Sequence, residues 1–296
     1  MNILITGGTG YIGGFLVPAL LEQGHNVTIL TRSGKKSKQR GKSYLKWNGK
    51  EMPIGIGIFD AIINLAGANI GKLSWTDENK KLFWDSRVDV TQACTDYINR
   101  SPNPPKVFLS GSAVGYYGID RDEVVDETSS PANDFLGELS VAWEAEALKA
   151  KCRTVILRTG VVIGKGSEVT ERLKPLYQLY LGGKIASGKQ GFPWIHIQDE
   201  VQIILKALHD NSMEGPYNLV GPEMLSQKEF SNAFAKAMKV VDFLPIPGFA
   251  MSILFGREKG ELLTGGQKVV PKRLLEAGYE FLFKDALTAL KDILED

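Results

Sequence analysis

Three glycines in Thr6-Gly7-Gly8-Thr9-Gly10-Tyr11-Ile12-Gly13 carry the spacing that a phosphate-binding turn requires. Gly7 permits a tight turn, Gly10 lets the backbone approach a pyrophosphate, and Gly13 lets the next helix pack closely on the strand. The context is right on both sides. Ile3-Leu4-Ile5 precedes it as a short apolar strand, and a helical pattern runs from Tyr11 to Gln23 with Ile12, Phe15, Leu16, Ala19 and Leu20 on one face. The start of that helix offers N–H groups and a positive dipole to phosphates. Gly7, Gly10, Tyr11, Ile12 and Gly13 are therefore candidate cofactor-binding residues. A tight turn without a ligand is the alternative, and the strand and helix around it argue against it.

The end of the second strand, Asn26 to Leu30, bears on which dinucleotide fits. An acidic residue there would hold a ribose 2′-hydroxyl. The residues are Thr31-Arg32-Ser33, and arginine suits a 2′-phosphate through bidentate, charge-assisted hydrogen bonds. Two unit charges near 4 Å are worth about 4 kcal/mol at an effective dielectric of 20. NADP(H) is thus expected over NAD(H), with Arg32 as its reader. Lys35, Lys36 and Lys38 fall in a basic, glycine-containing stretch from Ser33 to Lys42 that reads as a solvated loop.

Other chemistry is thin. His25, His196 and His209 with Cys94 and Cys152 offer no metal-ligand cluster, and no GxSxG elbow occurs. His196 has the pKa class for proton transfer near neutrality, although a hydrogen-bonded structural histidine is the stronger reading. Asp134 and Glu138 are further acid/base candidates. Asp199 reads as a helix cap. Trp194 is a candidate floor for a substrate pocket; Trp75, Trp84 and Trp143 read as packing, and Cys94 as a small buried apolar residue.

These residues need a scaffold, and the chain alternates accordingly. Ala61 to Leu65, Val107 to Leu109 and Thr154 to Leu157 are apolar strands. Asp77 to Arg100 reads as one long helix and Phe135 to Ala150 as another. Strands this apolar are buried on both faces, which implies a parallel sheet covered by helices, a doubly wound α/β fold. After Gly164 the pattern loosens around Pro175, Gly182-Gly183, Gly188 and Gly191-Phe192-Pro193, then returns as a helix from Gln198 to His209 and a strand from Tyr217 to Val220. The expected division is a dinucleotide-binding domain over 1–164, with 198–220 returning to it. The substrate-side lobe comprises 165–197 and 221–296, is smaller and mostly helical, and ends in a small C-terminal domain over 247–296. A substrate pocket is expected between the sheet and that lobe.

Composition excludes several classes. The 296 residues are 43% hydrophobic and 23% charged, enough for a sizeable core and unlike a disordered chain. A net charge of +1 argues against a dedicated nucleic-acid binder. No apolar run is long enough for a membrane span, and no secretory signal is visible. Two isolated cysteines suit a reducing cytoplasm, the expected compartment.

The glycine turn, Asn64-Leu65-Ala66-Gly67 and Ser110-Gly111-Ser112-Ala113-Val114-Gly115-Tyr116-Tyr117-Gly118 together resemble the extended short-chain dehydrogenase/reductase superfamily, which includes nucleotide-sugar epimerases and dehydratases. A bacterial group named epimerase family proteins is a closer resemblance. Its marks are Gly67-Ala68-Asn69-Ile70 with Trp75-Thr76, Ser86-Arg87, Arg158-Thr159-Gly160-Val161-Val162, Trp194-Ile195-His196-Ile197, and a tail from Gly265 to Pro271 and Leu274 to Tyr279 that is similar to the group's C-terminal domain of unknown function. The resemblance implies that Leu65, Ala66 and Gly67 lie beside the adenosine end and pyrophosphate, and that Thr159, Gly160 and Val161 flank the nicotinamide. Arg87 reads equally as a phosphate or ribose ligand and as a surface salt bridge. Trp47 reads as an adenine cover or, at least as well, as packing. Superfamily members often pair through helices, so a homodimer is the assembly the resemblance implies.

Typical members use a serine, and a tyrosine and lysine spaced YxxxK on the following helix. Ser112 fits the serine, but Phe135 and Leu139 stand where the tyrosine and lysine belong. Only about one free phenol in a thousand is ionised at pH 7, which is why the lysine matters. The single YxxxK string, Tyr180 to Lys184, spans Gly182-Gly183 and cannot present one helical face. Tyr116 and Tyr117 remain as proton donors beside Ser112 in sequence. Three readings follow: an NADP(H)-dependent oxidoreductase or epimerase/dehydratase-like protein acting on an unknown small substrate, a non-catalytic NADP(H)-binding redox sensor, and, more weakly, a structural partner acting through C-terminal helices whose Ile253-Leu254-Phe255 read more simply as core.

Overall fold

The computed structural model describes residues 1–34, 36–53, 55–241, 245–249, 253, 260 and 264–295. In chain order the first elements are β1 (Asn2–Thr6), α1 (Tyr11–Glu22), β2 (Asn26–Thr31), β3 (Lys42–Lys46), β4 (Ala61–Asn64), α2 (Asp77–Asp85), α3 (Val88–Arg100) and β5 (Val107–Ala113). A 3-10 turn over Val114–Tyr117 leads to β6 (Asp120–Val125), α4 (Phe135–Ala147), β7 (Arg153–Thr159) and β8 (Val161–Ile163). Then come α5 (Glu168–Gln178), β9 (Trp194–His196), α6 (Ile197–His209), β10 (Gly215–Leu219), α7 (Gln227–Ala237), β11 (Gly266–Val269), α8 (Lys272–Glu276) and α9 (Ala286–Leu294).

Seven strands form a parallel sheet in the order β10-β7-β5-β4-β1-β2-β3. The order runs outward in both directions from β1 and β4, and in such sheets the crevice outside the carboxyl ends of that pair is where ligands bind. Thr6 and Asn64, paired in register at the ends of β1 and β4, mark the point. The apolar strands behave as their composition requires: Ile3, Leu4, Ile5, Ile62, Ile63, Phe108 and Leu109 are all fully buried. Leu4, Leu30, Ile62, Phe108 and Ile156 form one core with Val90, Ala93, Cys94 and Ile98 of α3. Each such side chain contributes about 1.5–3 kcal/mol by leaving water.

Sequence periodicity missed several features. The stretch read as one helix from Asp77 to Arg100 is two, broken at Ser86-Arg87, where Arg87 adopts φ −113° and ψ −61°. Ser86 Oγ donates to the Phe83 carbonyl and accepts from Ala68 N–H, a local bond that competes with continuing the helix. The loosened stretch after Gly164 contains α5, capped by Ser167 Oγ accepting from Thr170 N–H, and the helix tolerates Pro175 inside it. The solvated loop is also shorter than expected, because Lys42 already begins β3.

The chain divides into two compact units. The first comprises Met1–Ser112, Glu138–Arg158 and Val201–Pro216; the second comprises Ala113–Gly137, Thr159–Glu200 and Tyr217–Asp296. Residues 113–137, 159–164 and 217–220, expected with the dinucleotide-binding domain, cluster with the second unit. The first unit carries most of the large sheet. The second carries two short parallel pairs, β6 with β11 and β8 with β9, and a core in which Ile163, Tyr177, Trp194, Phe230, Phe234 and Leu290 pack together. Ile253, expected in the core, is 76% exposed; Leu254 and Phe255 lie outside the described residues. Among the described residues no helix is long and apolar enough to cross a membrane.

Candidate functional site

In the first unit the glycine turn is built by close approach. Gly7 has φ +69°, and a Cβ there would strike the backbone of Leu65 and lie 2.7 Å from Ala66 N. A Cβ on Gly13 would lie 2.6 Å from the Gly8 backbone. Gly10 is the extended residue before α1; no side chain caps the helix and no acidic residue occupies its first turn. The dipole of α1 is therefore uncompensated by the chain itself, the arrangement that suits an anion. A hydrogen-bond chain ties the neighbouring strand ends together. Thr6 Oγ1 donates to Asn64 Oδ1 (2.5 Å), Asn64 Nδ2 to Thr91 Oγ1 (2.8 Å), and Thr91 Oγ1 to the Arg87 carbonyl (2.7 Å).

Arg87 is turned inward by the break between α2 and α3. Its guanidinium donates to the carbonyls of Ala68 (3.0 Å) and Phe83 (3.2 Å) and lies 5.3 Å from the Trp143 ring centroid. It packs so closely on Gly67 that a Cβ there would sit 3.0 Å from Cζ. Among the described residues it has no carboxylate partner, so it is not the surface salt bridge of the alternative reading. Part of the residue keeps solvent contact, yet desolvation of the guanidinium lowers its pKa to about 10. It remains charged at neutral pH, with five N–H donors only partly used. A phosphate fits this group.

The Trp143 ring also covers Gly111, where a Cβ would meet it at 3.1 Å. Next in the chain, Ser112 is buried and its Oγ donates to Glu144 Oε1 at 2.6 Å. Arg158 holds the same carboxylate through Nε to Oε1 and a terminal nitrogen to Oε2, both 2.8 Å. This is a buried bidentate ion pair, and the one hydrogen of Ser112 is committed to it. Arg32 is exposed at the end of β2 and has no ion pair among the described residues. Lys36 and Lys38 are exposed too, while Lys35 lies outside the described residues. Trp47 is a core residue whose Nε1 donates to the Glu51 carbonyl (2.8 Å), so it packs.

In the second unit the two tyrosines differ. Their rings meet edge to face at 5.3 Å. Tyr117 is fully buried and donates its hydroxyl to Asn218 Oδ1 (2.7 Å), while Tyr116 keeps part of its surface in solvent. Asn218 N–H donates in turn to the buried Glu127 (3.0 Å). Thr159 Oγ1 donates to Glu200 Oε1 at 2.8 Å. Glu200 is fully buried, its Oε2 has no partner among the described residues, and burial pushes its pKa up to about 8 against the opposing pull of Thr159. Gly160 N–H donates to the Leu219 carbonyl (3.0 Å) and Val161 N–H to that of Pro193 (2.7 Å), which opens the β8–β9 pair.

Trp194 is buried in the second unit's core with Nε1 donating to the Glu223 carbonyl (3.1 Å). His196 is buried against Phe283; its Nδ1 accepts from Gln198 N–H (3.3 Å), and Nε2 faces Asp292 at 3.4 Å. Burial lowers its pKa to about 4, only partly offset by Asp292, so it stays neutral near pH 7. Asp199 does not cap α6, which begins two residues earlier. Its carboxylate accepts from Leu282 N–H (2.9 Å), Phe283 N–H (3.0 Å) and the Tyr279 hydroxyl (3.0 Å). Tyr180 lies beyond the end of α5 at φ +58°, so the YxxxK string shares no helical face. Glu144, Glu200, Asn218 and Gln267 were not singled out from sequence. No short spacing links Ser112 to Glu144 or Tyr117 to Asn218, and only the fold joins them.

Residues 3–220 match the NAD dependent epimerase/dehydratase family, and residues 246–293 match a domain of unknown function, DUF1731. The chain is 35% identical to human epimerase family protein SDR39U1, over 99% of this chain and all of that one, and 33% identical to Bacillus subtilis epimerase family protein YfhF, over 100% and 99%. The crystal structure of human SDR39U1 with NADPH superposes with a TM-score of 0.91, covering both chains fully. A nucleoside-diphosphate sugar epimerase from Corynebacterium glutamicum, 28% identical, gives 0.78 over 99% of this chain and 58% of that one. The chain belongs to the NAD dependent epimerase/dehydratase family.

Proposed function

We propose that this family member binds NADP(H) and uses it to move a hydride to or from a small substrate. The observation that carries the proposal is Arg87, an enclosed guanidinium with no carboxylate partner among the described residues, packed on Gly67. The Gly7–Gly13 turn, with an uncapped helix start behind it, supplies pyrophosphate-binding geometry in the same unit. Arg32 is assigned to the 2′-phosphate by its position after β2, and NADPH in the human relative's structure supports the choice of cofactor. Thr159, Gly160 and Val161 are assigned to the nicotinamide by family resemblance. When bound, the cofactor supplies the hydride chemistry.

The protein's own contribution is orientation and a proton. Ser112 acts through Glu144, since its hydrogen is committed to that carboxylate. Between the two phenols, Tyr116 is the proton donor, because Tyr117 is buried and its hydroxyl is held by Asn218. The same commitments favour a second reading, a redox sensor that keeps the cofactor and has shed catalysis. The reducing cytoplasm fits either.

The experiment uses NADPH deuterated at the transferable position, loaded on the purified protein and mixed with a metabolite extract. Deuterium arriving in one compound establishes an enzyme and its substrate class. Tight NADPH binding with no transfer selects the sensor. Absence of NADPH binding sinks both readings.

A further inference from the structure

The segment over residues 246–293 reaches the turn that carries Tyr116 and Tyr117 through β11 and the residue after it. β11 runs parallel to β6, with Lys268 opposite Val124 and Val269 opposite Val125. Gly266 N–H donates to the Ile119 carbonyl (2.7 Å) and Val270 N–H to that of Val125 (3.0 Å). Between them Gln267 is buried, and its side-chain amide donates to the Gly118 carbonyl. The Val270 carbonyl accepts from Asn218 Nδ2 (3.0 Å), and Asn218 is the residue that holds the Tyr117 hydroxyl. Five consecutive residues, Gly266 to Val270, therefore hold the turn both at its end and through the Tyr117 side chain.

The strand has no room to retreat. A Cβ on Gly191 would fall on the Gln267 carbonyl, and a Cβ on Gly266 would fall on the Gly191 carbonyl. On the other side the turn itself is tight. Gly118 has φ +77°, and its N–H donates to the Gly115 carbonyl at 3.0 Å. A buried amide side chain costs free energy unless it is bonded, so Gln267 favours the one arrangement in which Gly118 meets it.

We propose that Gly266–Val270 is the positioning element of the Tyr116–Tyr117 turn, with Gln267 as the residue that places it. This gives the C-terminal domain a role in the chemistry, and it rests on the reading of Tyr116 as proton donor. Gln267 is a positioning residue and touches no reacting atom.

The test is amide hydrogen exchange at Gly118 and at Ala132, whose N–H donates to the Tyr116 carbonyl (2.9 Å), with NADPH binding and deuteride transfer measured on the same full-length samples. Gln267→Leu keeps the bulk and removes the donor. It should speed exchange at both amides by roughly tenfold, the worth of one hydrogen bond. Deuteride transfer should slow in step, while the NADPH Kd stays within about twofold. Gln267→Glu can donate only when protonated, so protection at Gly118 should return as pH is lowered through the carboxyl range. Gly191→Ala pushes the strand from behind and should reproduce the Gln267→Leu signature. Unchanged exchange at Gly118 and Ala132 in both variants overturns the proposal. So does faster exchange with unchanged deuteride transfer, and so does a loss of protection spread equally through β1 and α1. A wild-type protein that binds NADPH and transfers no deuteride sinks the catalytic reading of Tyr116 instead, and the exchange data then decide whether the strand holds the turn.

Discussion

Arg87 in the first unit and Glu200 in the second are both ionisable side chains enclosed without a counter-ion among the described residues. Desolvation moves each towards its neutral form, and the outcomes differ because the starting points differ. Arg87 falls to about 10 and keeps its charge at pH 7, whereas Glu200 rises to about 8 and loses most of its own. The first unit therefore retains an unmatched cation, which an anionic ligand can match. The second hides a neutral acid that fixes the Thr159 hydroxyl. Glu144 and Arg158 supply a third case, in which two buried ions satisfy each other. Of the three arrangements only the first is left short of a partner of opposite charge, which is why the anion site is placed there.

The largest expected effect breaks the comparison at Glu200. Its folded pKa of about 8 lies above the ordinary 4.5. Between those values the folded chain holds a proton that the unfolded chain has lost. Stability is greatest below about pH 4.5 as far as this group is concerned, and falls as pH rises through 8. The full span is on the order of 5 kcal/mol. Glu200→Gln, which cannot ionise, should be more stable than wild type at pH 8.5 and nearly equal to it at pH 5. Chemical denaturation at the two pH values checks this. Equal pH slopes for the two proteins would show that Glu200 is ionised in the folded state and that the contrast with Arg87 is false.

Arg87→Met comes next. Removing charge-assisted hydrogen bonds of about 1.5–3 kcal/mol should weaken NADPH binding by roughly 10- to 100-fold. Stability should not fall in step, because the lost group was a desolvated cation without an ion pair among the described residues. NADPH fluorescence titration and Tm together read the two effects. A large fall in Tm with unchanged NADPH affinity would make Arg87 structural. Ser112→Ala sharpens the contrast with the matched pair. It takes one donor from a buried carboxylate and should cost about 1–3 kcal/mol of stability, with NADPH affinity unchanged.

What could be read from the sequence follows a physical divide. Apolar runs such as Ile3-Leu4-Ile5 and Ala61 to Leu65 announce a doubly buried strand, and glycine spacing announces a close approach, because both are local. The turn at Gly7 and the parallel sheet were legible for that reason. The break at Arg87 was not, because it depends on Ser86 accepting from Ala68, eighteen residues away. The partners Glu144 and Asn218 were invisible for the same reason, since Ser112 meets Glu144 across 32 residues and Tyr117 meets Asn218 across 101. Sequence reading thus found the residues that a local pattern marks and missed those whose only sign is a polar partner far along the chain.

The smallest effect is expected at Arg32, and it tests whether enclosure or mere charge governs the anion site. Arg87 is largely desolvated, so its interaction with a phosphate is little screened. Arg32 is exposed at the end of β2, where water and salt screen it, and exposed ion pairs are worth about 0.2–1 kcal/mol. The 4 kcal/mol estimated from charge and distance alone is therefore an upper bound. Arg32→Ala should weaken NADPH by only about fivefold at low salt and leave NADH affinity unchanged, since only the 2′-phosphate is lost. Raising the ionic strength towards 1 M, where the Debye length is about 3 Å, should erase the difference between wild type and variant. The Arg87→Met defect should persist under the same salt. If both defects vanish together, Arg87 binds as a surface charge does, and its enclosure has no part in holding the anion.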